Sequence, residues 1–232
     1  MPGYLSERAV VRGRVMEGAV ILGSSRVDEG SLIDSWVYVG YPSREKLKGR
    51  FETLEELDRL SEGAEIGRNC ILRTFTTIYE DVKLGDYVET GHGVLIRSGS
   101  RVGEGSRIGS LTQLDGKILV GRRVSIQSRV YLPHLTVVGD EAFIGPGAIV
   151  TNDLYPVSSR LTGVRIGARA VVGAGSVLLA GIEVGEEAVV AAGSIVTRDI
   201  PPRTVVRGAP AKPVMRREEY DEKRRRYEGK TP

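Results

Sequence analysis

Histidine occurs only twice in this 232-residue chain, as His92 and His134. It is the side chain whose charge changes most readily near neutral pH, so either residue could take a proton from an amine or hydroxyl nucleophile. Asparagine is equally rare, and Asn152 follows His134 by 18 residues. An amide beside an imidazole could position a nucleophile or donate to a developing oxyanion. Whether His134 and Asn152 act together depends on the elements that carry them.

Other kinds of active site find little support in the sequence. Cys70 is the only cysteine, which excludes an internal disulfide and a cysteine metal cluster. Two histidines cannot supply a three-histidine zinc site without further ligands, so no metal is expected. No serine stands in a G-x-S-x-G motif. The Gly91-His92-Gly93 fragment belongs to a repeat, and we interpret it as structural rather than as a nucleotide-binding loop.

An aliphatic residue recurs at every sixth position over most of the chain. A six-residue period of this length is typical of a hexapeptide-repeat solenoid and predicts an all-β parallel β-helix. Thr90 is the one polar residue in the longest run. The runs are Val15 to Val39, Ile66 to Val150 and Ile166 to Val196, each in steps of six.

Three six-residue repeats form one coil of a triangular solenoid, so residues 18 apart should stack at the spacing of a β-sheet, about 4.7–4.9 Å. This geometry places Asn152 one coil above His134, at a corner that faces outward. His92 precedes His134 by 42 residues, which assigns it to a different corner of a different coil. The stacked pair is the candidate site, with an ordinary exposed corner as the alternative.

Each repeat also predicts which residues face inward. The fourth residue after the aliphatic one, such as Ser106 or Thr112, should be buried, and Cys70 falls in this column. Glycine often follows the aliphatic residue directly, as at Gly103 and Gly109. We expect these glycines to supply the backbone angles of sharp corners.

The six-residue period breaks twice, and both breaks predict inserted segments. Residues 40–65 include a stretch, 50–60, in which Phe51, Leu54, Leu57 and Leu60 follow helical spacing, so a short helix should pack its apolar side on the solenoid. Residues 153–165 should form a loop that projects from a corner.

The C-terminal part should depart from the solenoid. Pro201 and Pro202 cannot donate ladder hydrogen bonds and are expected to end the regular structure. The charged tail from Met215 onward should be a frayed helix, or alternatively a subunit-contact arm. The predicted division is 1–65 (partial coils and helix), 66–201 (main β-helix) and 202–232 (C-terminal extension).

Composition narrows the class of protein. The net charge of +3 gives no bulk support for nucleic-acid binding, although basic residues concentrate toward the C-terminal end. No apolar run could span a membrane and no signal peptide is evident, so a cytoplasmic location without membrane association is expected. The scarcity of asparagine and cysteine favours a thermophilic source.

The central and C-terminal sequence, residues 66–212, resembles a known family. Residues 173–214, with the ending Gly208-Ala209-Pro210-Ala211-Lys212, are similar to the closing coils of the left-handed β-helix acyltransferases, the hexapeptide-repeat superfamily that uses acetyl-CoA. Residues 124–156 are similar to the branch that N-acetylates amino sugars on nucleotide carriers, especially in the motifs F-I-G-P and T-N-D-x-Y-P.

This resemblance implies a left-handed coil and a homotrimer with sites in the clefts between neighbouring solenoids. Acetyl-CoA would be the co-substrate, and its contacts are implied at Gly173, Ala174, Ala192, Gly193, Arg207 and Lys212. His134 would act as a base or orient the acceptor, and Asn152 would position the acceptor. The further acceptor-binding candidates are Asp153, Tyr155, Gln127 and His92.

The predicted function is therefore acetyl transfer from acetyl-CoA to an amino sugar on a nucleotide carrier, by direct attack on the thioester. O-acetylation of a sugar or of serine is the runner-up, in which His92 would compete with His134 as the base. A non-catalytic trimeric module and a carbonic-anhydrase-like protein are two further possibilities, and the absence of a three-histidine set counts against the latter.

Overall fold

The computed structural model describes residues 3–229, and most of its strands contain two residues. The N-terminal elements are β1 (Tyr4–Leu5), β2 (Val10–Val11), β3 (Arg14–Val15), β4 (Val20–Ile21), β5 (Arg26–Val27), β6 (Leu32–Ile33), β7 (Tyr38–Tyr41) and helix α1 (Leu54–Leu60). The next strands are β8 (Glu65–Ile66), β9 (Ile71–Leu72), β10 (Thr77–Tyr79), β11 (Lys83–Leu84), β12 (Glu89–Thr90), β13 (Leu95–Ile96), β14 (Arg101–Val102), β15 (Arg107–Ile108), β16 (Gln113–Leu114), β17 (Leu119–Val120), β18 (Ser125–Ile126), β19 (Tyr131–Leu132), β20 (Val137–Val138), β21 (Phe143–Ile144) and β22 (Ile149–Val150). The C-terminal elements are β23 (Arg165–Ile166), β24 (Val171–Val172), β25 (Val177–Leu178), β26 (Glu183–Val184), β27 (Val189–Val190), β28 (Ile195–Val196), β29 (Thr204–Arg207), β30 (Lys212–Arg216) and helix α2 (Arg217–Glu228).

Three parallel sheets form the sides of a triangular solenoid. Sheet A contains every third strand from β1 to β28, sheet B every third strand from β2 to β26, and sheet C every third strand from β3 to β27, followed by β29 and β30. In the regular coils, paired residues are 18 apart, as with Gln113 and Tyr131. This architecture confirms the predicted all-β parallel β-helix of the left-handed class. The sheets also run across the predicted boundary at residue 65, because β5 pairs with β8 and β7 with β10.

The aliphatic repeat fills the interior, as predicted. Ile96, Leu114 and Leu132 stack in sheet A and are fully buried. Thr90 also points inward; its hydroxyl lies 3.1 Å from Thr76 Oγ1 and accepts a hydrogen bond from the backbone of Arg73. A buried hydroxyl with these partners avoids the cost of an unsatisfied polar group. The break in the aliphatic pattern is therefore compatible with an intact core.

Glycine is required after the aliphatic residue, but the reason that we predicted for it was wrong. The residues with positive φ lie three positions after the aliphatic residue, as at Gly105 and Lys117, whereas Gly103 and Gly109 lie one position after it. A Cβ atom on Gly109 would lie 2.4 Å from the backbone nitrogen of Ser128 in the next coil. Glycine is needed there because two backbones approach closely, not because of its dihedral freedom.

The three edges of the solenoid differ in composition. We call the edge after sheet A the first corner, the edge after sheet B the second corner and the edge after sheet C the third corner. The second corner carries ion pairs between coils, such as Arg68 with Asp86 at 2.7 Å. His134 lies in the first corner and His92 in the third, which confirms that the two histidines occupy different corners.

The predicted inserted helix is present but shorter. It begins after the N-cap Thr53, whose hydroxyl accepts a hydrogen bond from the backbone of Glu56, so Phe51 lies outside it. The leucines of α1 are only partly buried, and its one buried residue is Asp58. The Asp58 carboxylate accepts a 2.6 Å hydrogen bond from the backbone N–H of Gly23. A polar contact to the solenoid, rather than the predicted apolar stripe, contributes the most buried anchor of the helix.

The prediction that Pro201 and Pro202 end the regular structure was also wrong. Both prolines lie in the second corner, where the ladder does not need their missing donors, and β29 continues sheet C beside β27. Strand β30 then pairs antiparallel with β29, and α2 follows. Arg217 of α2 donates a 2.8 Å hydrogen bond to the carbonyl of Glu187, so the tail is a docked helix over its described residues. Neither described helix is long and apolar enough to cross a membrane.

Candidate functional site

The imidazole of His134 is paired with a carboxylate that the sequence prediction missed. Strand β19 ends at Leu132, and the turn that follows presents His134 at the first corner, where its side chain is 38% exposed. Its Nδ1 atom lies 3.3 Å from Oδ2 of Asp115, which follows β16 in the preceding coil. A carboxylate at this distance favours the tautomer with the proton on Nδ1, which leaves Nε2 free to accept a proton. The pair has the composition of a general base and its orienting group.

Asp115 is held by two further side chains. Arg97, from the coil below, lies 2.6 Å from the other carboxylate oxygen, and the Tyr131 hydroxyl lies 3.3 Å from Oδ2. Arg97 and Asp115 are 18 residues apart and stack as the repeat requires. Burial raises the pKa of Tyr131, and the negative charge of Asp115 adds to this shift, so the phenol stays protonated near neutral pH. The carboxylate is thus fixed while His134 remains accessible.

His134 and Asp115 open onto a cavity of about 350 Å³. Its floor is the first corner, and one wall comes from the insertion that precedes α1. A Cβ atom on Gly116 would lie 3.2 Å from His134 Nε2, so a larger residue at this position would crowd the imidazole. The lining residues are Ser43, Arg44, Glu45, Tyr79, Arg97, Ser98, Asp115, Gly116, Lys117 and His134.

Cationic side chains outnumber carboxylates in the cavity lining, which contains Arg44, Arg97 and Lys117 together with Glu45 and Asp115. Arg97 is paired with Asp115, but neither Arg44 nor Lys117 takes part in an ion pair among residues 3–229. The hydroxyl oxygen of Ser98 is buried and has no hydrogen-bond partner in the same described part of the chain. The side chains of Arg44 and Lys117 are exposed, whereas the Ser98 oxygen is enclosed by the protein.

Asn152 occupies the position that the repeat predicts. Tyr131 pairs with Ile149, and this register places Asn152 one coil above His134 in the first corner. Its backbone carbonyl accepts a 2.7 Å hydrogen bond from Thr162 and so closes the loop that begins at Asp153. The role of the Asn152 side chain beside His134 stays a prediction.

Asp153 and Tyr155 lie apart from the His134 cavity. The Asp153 carboxylate accepts hydrogen bonds from the backbone N–H groups of Ser158 and Tyr155, which lower its pKa and shape the predicted loop. Asp153 and Tyr155 line a second cavity of about 380 Å³, with Ser158 and Thr162 among its other walls. Neither residue lines the cavity that contains His134.

The remaining predicted residues lie at or beyond the third corner. His92 and Gln127 follow β12 and β18 of sheet C. Four of the predicted acetyl-CoA contacts, Gly173, Ala174, Ala192 and Gly193, follow β24 and β27 in the same corner. Arg207 and Lys212 pair with each other in the β29–β30 ladder. A groove of about 460 Å³, lined by apolar side chains such as Phe143 and Val189, includes Gly173, Ala192 and Arg207. Within one chain, sheet A separates this corner from His134.

The sequence prediction missed Asp115 and Arg97, and it did not place residues of the 40–65 insertion beside His134. That prediction considered the residue one coil above His134 and overlooked the residue one coil below it. Subtracting 18 from 134 gives Gly116, whose neighbour is Asp115, so the same repeat contained the signal. The break in the period marked the insertion at residues 40–65, but it could not show that Ser43, Arg44 and Glu45 line the His134 cavity.

The fold and the repeat define the class of protein. Residues 161–198 match the family model described as the hexapeptide repeat of succinyl-transferase. Together with the three-sided solenoid, this match supports the resemblance to the hexapeptide-repeat superfamily of left-handed β-helix acyltransferases.

Solved structures extend the likeness of fold to nearly the whole chain. UDP-N-acetylglucosamine acyltransferase from Francisella novicida is 17% identical, with a TM-score of 0.71 over 94% of this chain and 75% of that chain. The Campylobacter jejuni enzyme of the same name is 18% identical, with a TM-score of 0.70 over 93% and 83%. UDP-N-acetylglucosamine O-acyltransferase from Moraxella catarrhalis is 17% identical, with a TM-score of 0.56 over 90% and 77%. No curated protein matches the sequence.

Proposed function

We propose that this protein transfers an acetyl group from acetyl-CoA to a sugar carried on a nucleotide, with His134 as the general base. The observation that carries the proposal is the His134–Asp115 pair at the edge of a cavity with unpaired cationic groups. Nε2 of His134 takes the proton of the acceptor as its nitrogen or oxygen attacks the thioester carbonyl. The tetrahedral intermediate then expels coenzyme A, whose sulfur receives that proton from the imidazolium.

Asp115 acts through His134 rather than on the substrate. It holds Nδ1–H and offsets the positive charge that the imidazole acquires during proton transfer. Arg97 and Tyr131 keep the carboxylate in place, so the imidazole does not have to be oriented when the acceptor binds. In this scheme Asn152, one coil above, positions the acceptor.

The donor is proposed to bind at the third corner, along Gly173, Ala174, Ala192 and Gly193, with Arg207 and Lys212 near its phosphates. Sheet A separates that corner from His134 within one chain. A complete site then requires the third corner of one copy to face the first corner of another. This requirement supports the expected homotrimer and gives the assembly a catalytic role.

The acceptor atom has two candidates. An amino group is the first, since the T-N-D-x-Y-P motif resembles that of the amino-sugar N-acetyltransferases. A sugar hydroxyl is the second, because the Moraxella catarrhalis protein, whose fold is similar over 90% of this chain, is named as an O-acyltransferase. Either acceptor loses a proton as it attacks, so the same base serves both reactions.

Release of coenzyme A from acetyl-CoA tests the proposal directly. The acceptors compared are a nucleotide-linked amino sugar, the matching nucleotide-linked sugar with a hydroxyl at that carbon, the free sugars and serine. We expect release with at least one nucleotide-linked sugar, and its loss in His134→Ala. No release with any acceptor, from a protein that binds acetyl-CoA, would overturn the proposed function.

The shared site has its own test. His134→Ala and Ala192→Trp each remove activity in a uniform assembly, but a mixture that is dissociated and reassembled should recover part of it. Ala168→Trp, at the equivalent position of the second corner, is the matched control and should stay active. Mixed assemblies without recovered activity would contradict a site built from two copies.

A further inference from the structure

Both ends of the insertion between β7 and β8 are held by one buried carboxylate. Glu80 follows β10, and its side chain is only 4% exposed. One of its oxygens accepts a 2.9 Å hydrogen bond from the backbone of Ser43, and the other accepts 2.9 Å and 2.8 Å hydrogen bonds from the backbone of Glu62 and from Lys46 Nζ. All three donors belong to the insertion. We call this group, Ser43, Lys46, Glu62 and Glu80, the latch.

The latch fixes the residues that follow Ser43 over the His134 cavity. Lys46 also bonds to the carbonyl of Leu60 at 3.2 Å and to the Glu62 carboxylate at 2.7 Å, which ties the two ends of the insertion together. Ser43, Arg44 and Glu45 line the same cavity as Lys117 and His134. Removing the latch would therefore release a wall of the cavity without touching His134 or Asp115.

We propose that Arg44 and Lys117 bind a phosphate group of the acceptor and that Glu80 positions Arg44 for this contact. This proposal rests on the proposed function for the identity of the acceptor. Arg44 belongs to the insertion and Lys117 to the first corner, and both line the cavity that contains His134.

Phosphate fits this surface better than a neutral sugar does. Arg44 and Lys117 have no ion-pair partners among residues 3–229 and together outweigh the one unpaired carboxylate of the lining, that of Glu45. They therefore attract an anion, and a guanidinium can form paired hydrogen bonds with phosphate oxygens. Arg97 is engaged by Asp115 and so leaves this role to Arg44 and Lys117. The insertion thereby determines specificity, because it selects acceptors that carry phosphate next to the sugar.

The experiment measures acceptor kinetics and direct binding in the full-length protein. Arg44→Met and Lys117→Met should each raise the KM for the phosphate-bearing acceptor by about 10-fold, with kcat and the KM for acetyl-CoA nearly unchanged. Arg50→Met and Lys48→Met remove cations of the same insertion that do not line the cavity, and they should leave all three constants unchanged. Glu80→Gln should reproduce the Arg44→Met effect, which is a higher KM for the acceptor with kcat nearly unchanged. General destabilisation would not raise this KM alone.

Binding of uridine diphosphate, a sugar 1-phosphate and inorganic pyrophosphate, measured by calorimetry without acetyl-CoA, separates this proposal from the proposed function. Weaker binding in Arg44→Met and Lys117→Met than in the two controls supports the phosphate site, even if no acceptor is turned over. The three probes show whether a nucleoside, a sugar or phosphate alone is sufficient. Equal binding by all four variants, or no binding by the unmodified protein, would overturn the phosphate site while leaving the role of His134 open.

Discussion

Nδ1 of His134 lies 3.3 Å from Oδ2 of Asp115, although the two residues belong to successive coils of the solenoid. The contact exists because the 18-residue coil brings position 116 beneath position 134 and places Asp115 at its side. Arg97 and Tyr131 complete the arrangement around the same carboxylate. This geometry supports the proposal that His134 is the base and that Asp115 positions it.

Asp115→Asn should lower kcat by about 100-fold while the KM for acetyl-CoA stays unchanged. The amide cannot stabilise the imidazolium, and it can favour the wrong tautomer of His134. Steady-state kinetics across pH would test this, since the pH profile as well as the rate should change. Glu89→Gln, which also removes an arginine partner, Arg73, is the matched control. An unchanged kcat in Asp115→Asn would contradict the role of the pair.

Gly116→Ala should reduce activity through His134. Gly116 has φ +104, and an added Cβ would lie 3.2 Å from Nε2, so the substitution strains the backbone and displaces the imidazole. Gly105→Ala is the control, because Gly105 has φ +68 in the second corner, away from the site. Both variants should lose about 1–2 kcal/mol of unfolding free energy. Only Gly116→Ala should have a lower kcat. Equal activity in the two variants would contradict the packing of Gly116 against His134.

Glu80 should stabilise the folded protein at pH values above its titration range, and this stabilisation should be lost in acid. Burial alone would raise the pKa of Glu80, but hydrogen bonds from Lys46 and from the backbone of Glu62 and Ser43 lower it below its usual 4.5. A group with a depressed folded-state pKa stabilises the protein above the unfolded value and loses this effect as pH falls. Glu80→Gln should cost about 2 kcal/mol at neutral pH, and the difference should shrink below pH 4.5. Denaturant unfolding at several pH values tests this; a constant difference would contradict it.

The third corner should mediate contact between copies. Phe75 has φ +66 and is 65% exposed, so it adopts a strained conformation without burying its ring in the chain. Trp36 and Leu111 occupy the equivalent third-corner position in other coils, and both also have a positive φ. Phe75→Asp should therefore lower the oligomeric state measured by light scattering. Tyr87→Asp, at an exposed aromatic position of the second corner with φ +58, is the control and should not change it.

Much of the fold could be predicted because one period determines the burial of nearly every residue. The aliphatic column, the inward Ser106 and the buried Cys70 all follow from the position within six residues. The prediction for Pro201 and Pro202 was wrong because the effect of a proline depends on where it falls in a coil. At a corner, the missing N–H groups interrupt no ladder.

The site was less predictable because some of its residues are positioned by the repeat and others by the insertion. Asp115 follows from the repeat once the coil below His134 is considered. Arg44 does not, because its position depends on the long-range contact between Lys46 and Glu80, which no local pattern encodes. An insertion can vary without disturbing the repeat, so the period carries no information about where the inserted residues lie.

Comparing His134→Ala with His92→Ala decides whether His134 is the base. With a saturating nucleotide-linked acceptor, coenzyme A release should fall by about 10³-fold in His134→Ala and stay within about twofold in His92→Ala. Binding of acetyl-CoA should be retained in both variants, because the proposed donor contacts at the third corner include neither imidazole. A greater loss in His92→Ala, or equal small losses in the two variants, would contradict the assignment of His134 as the base.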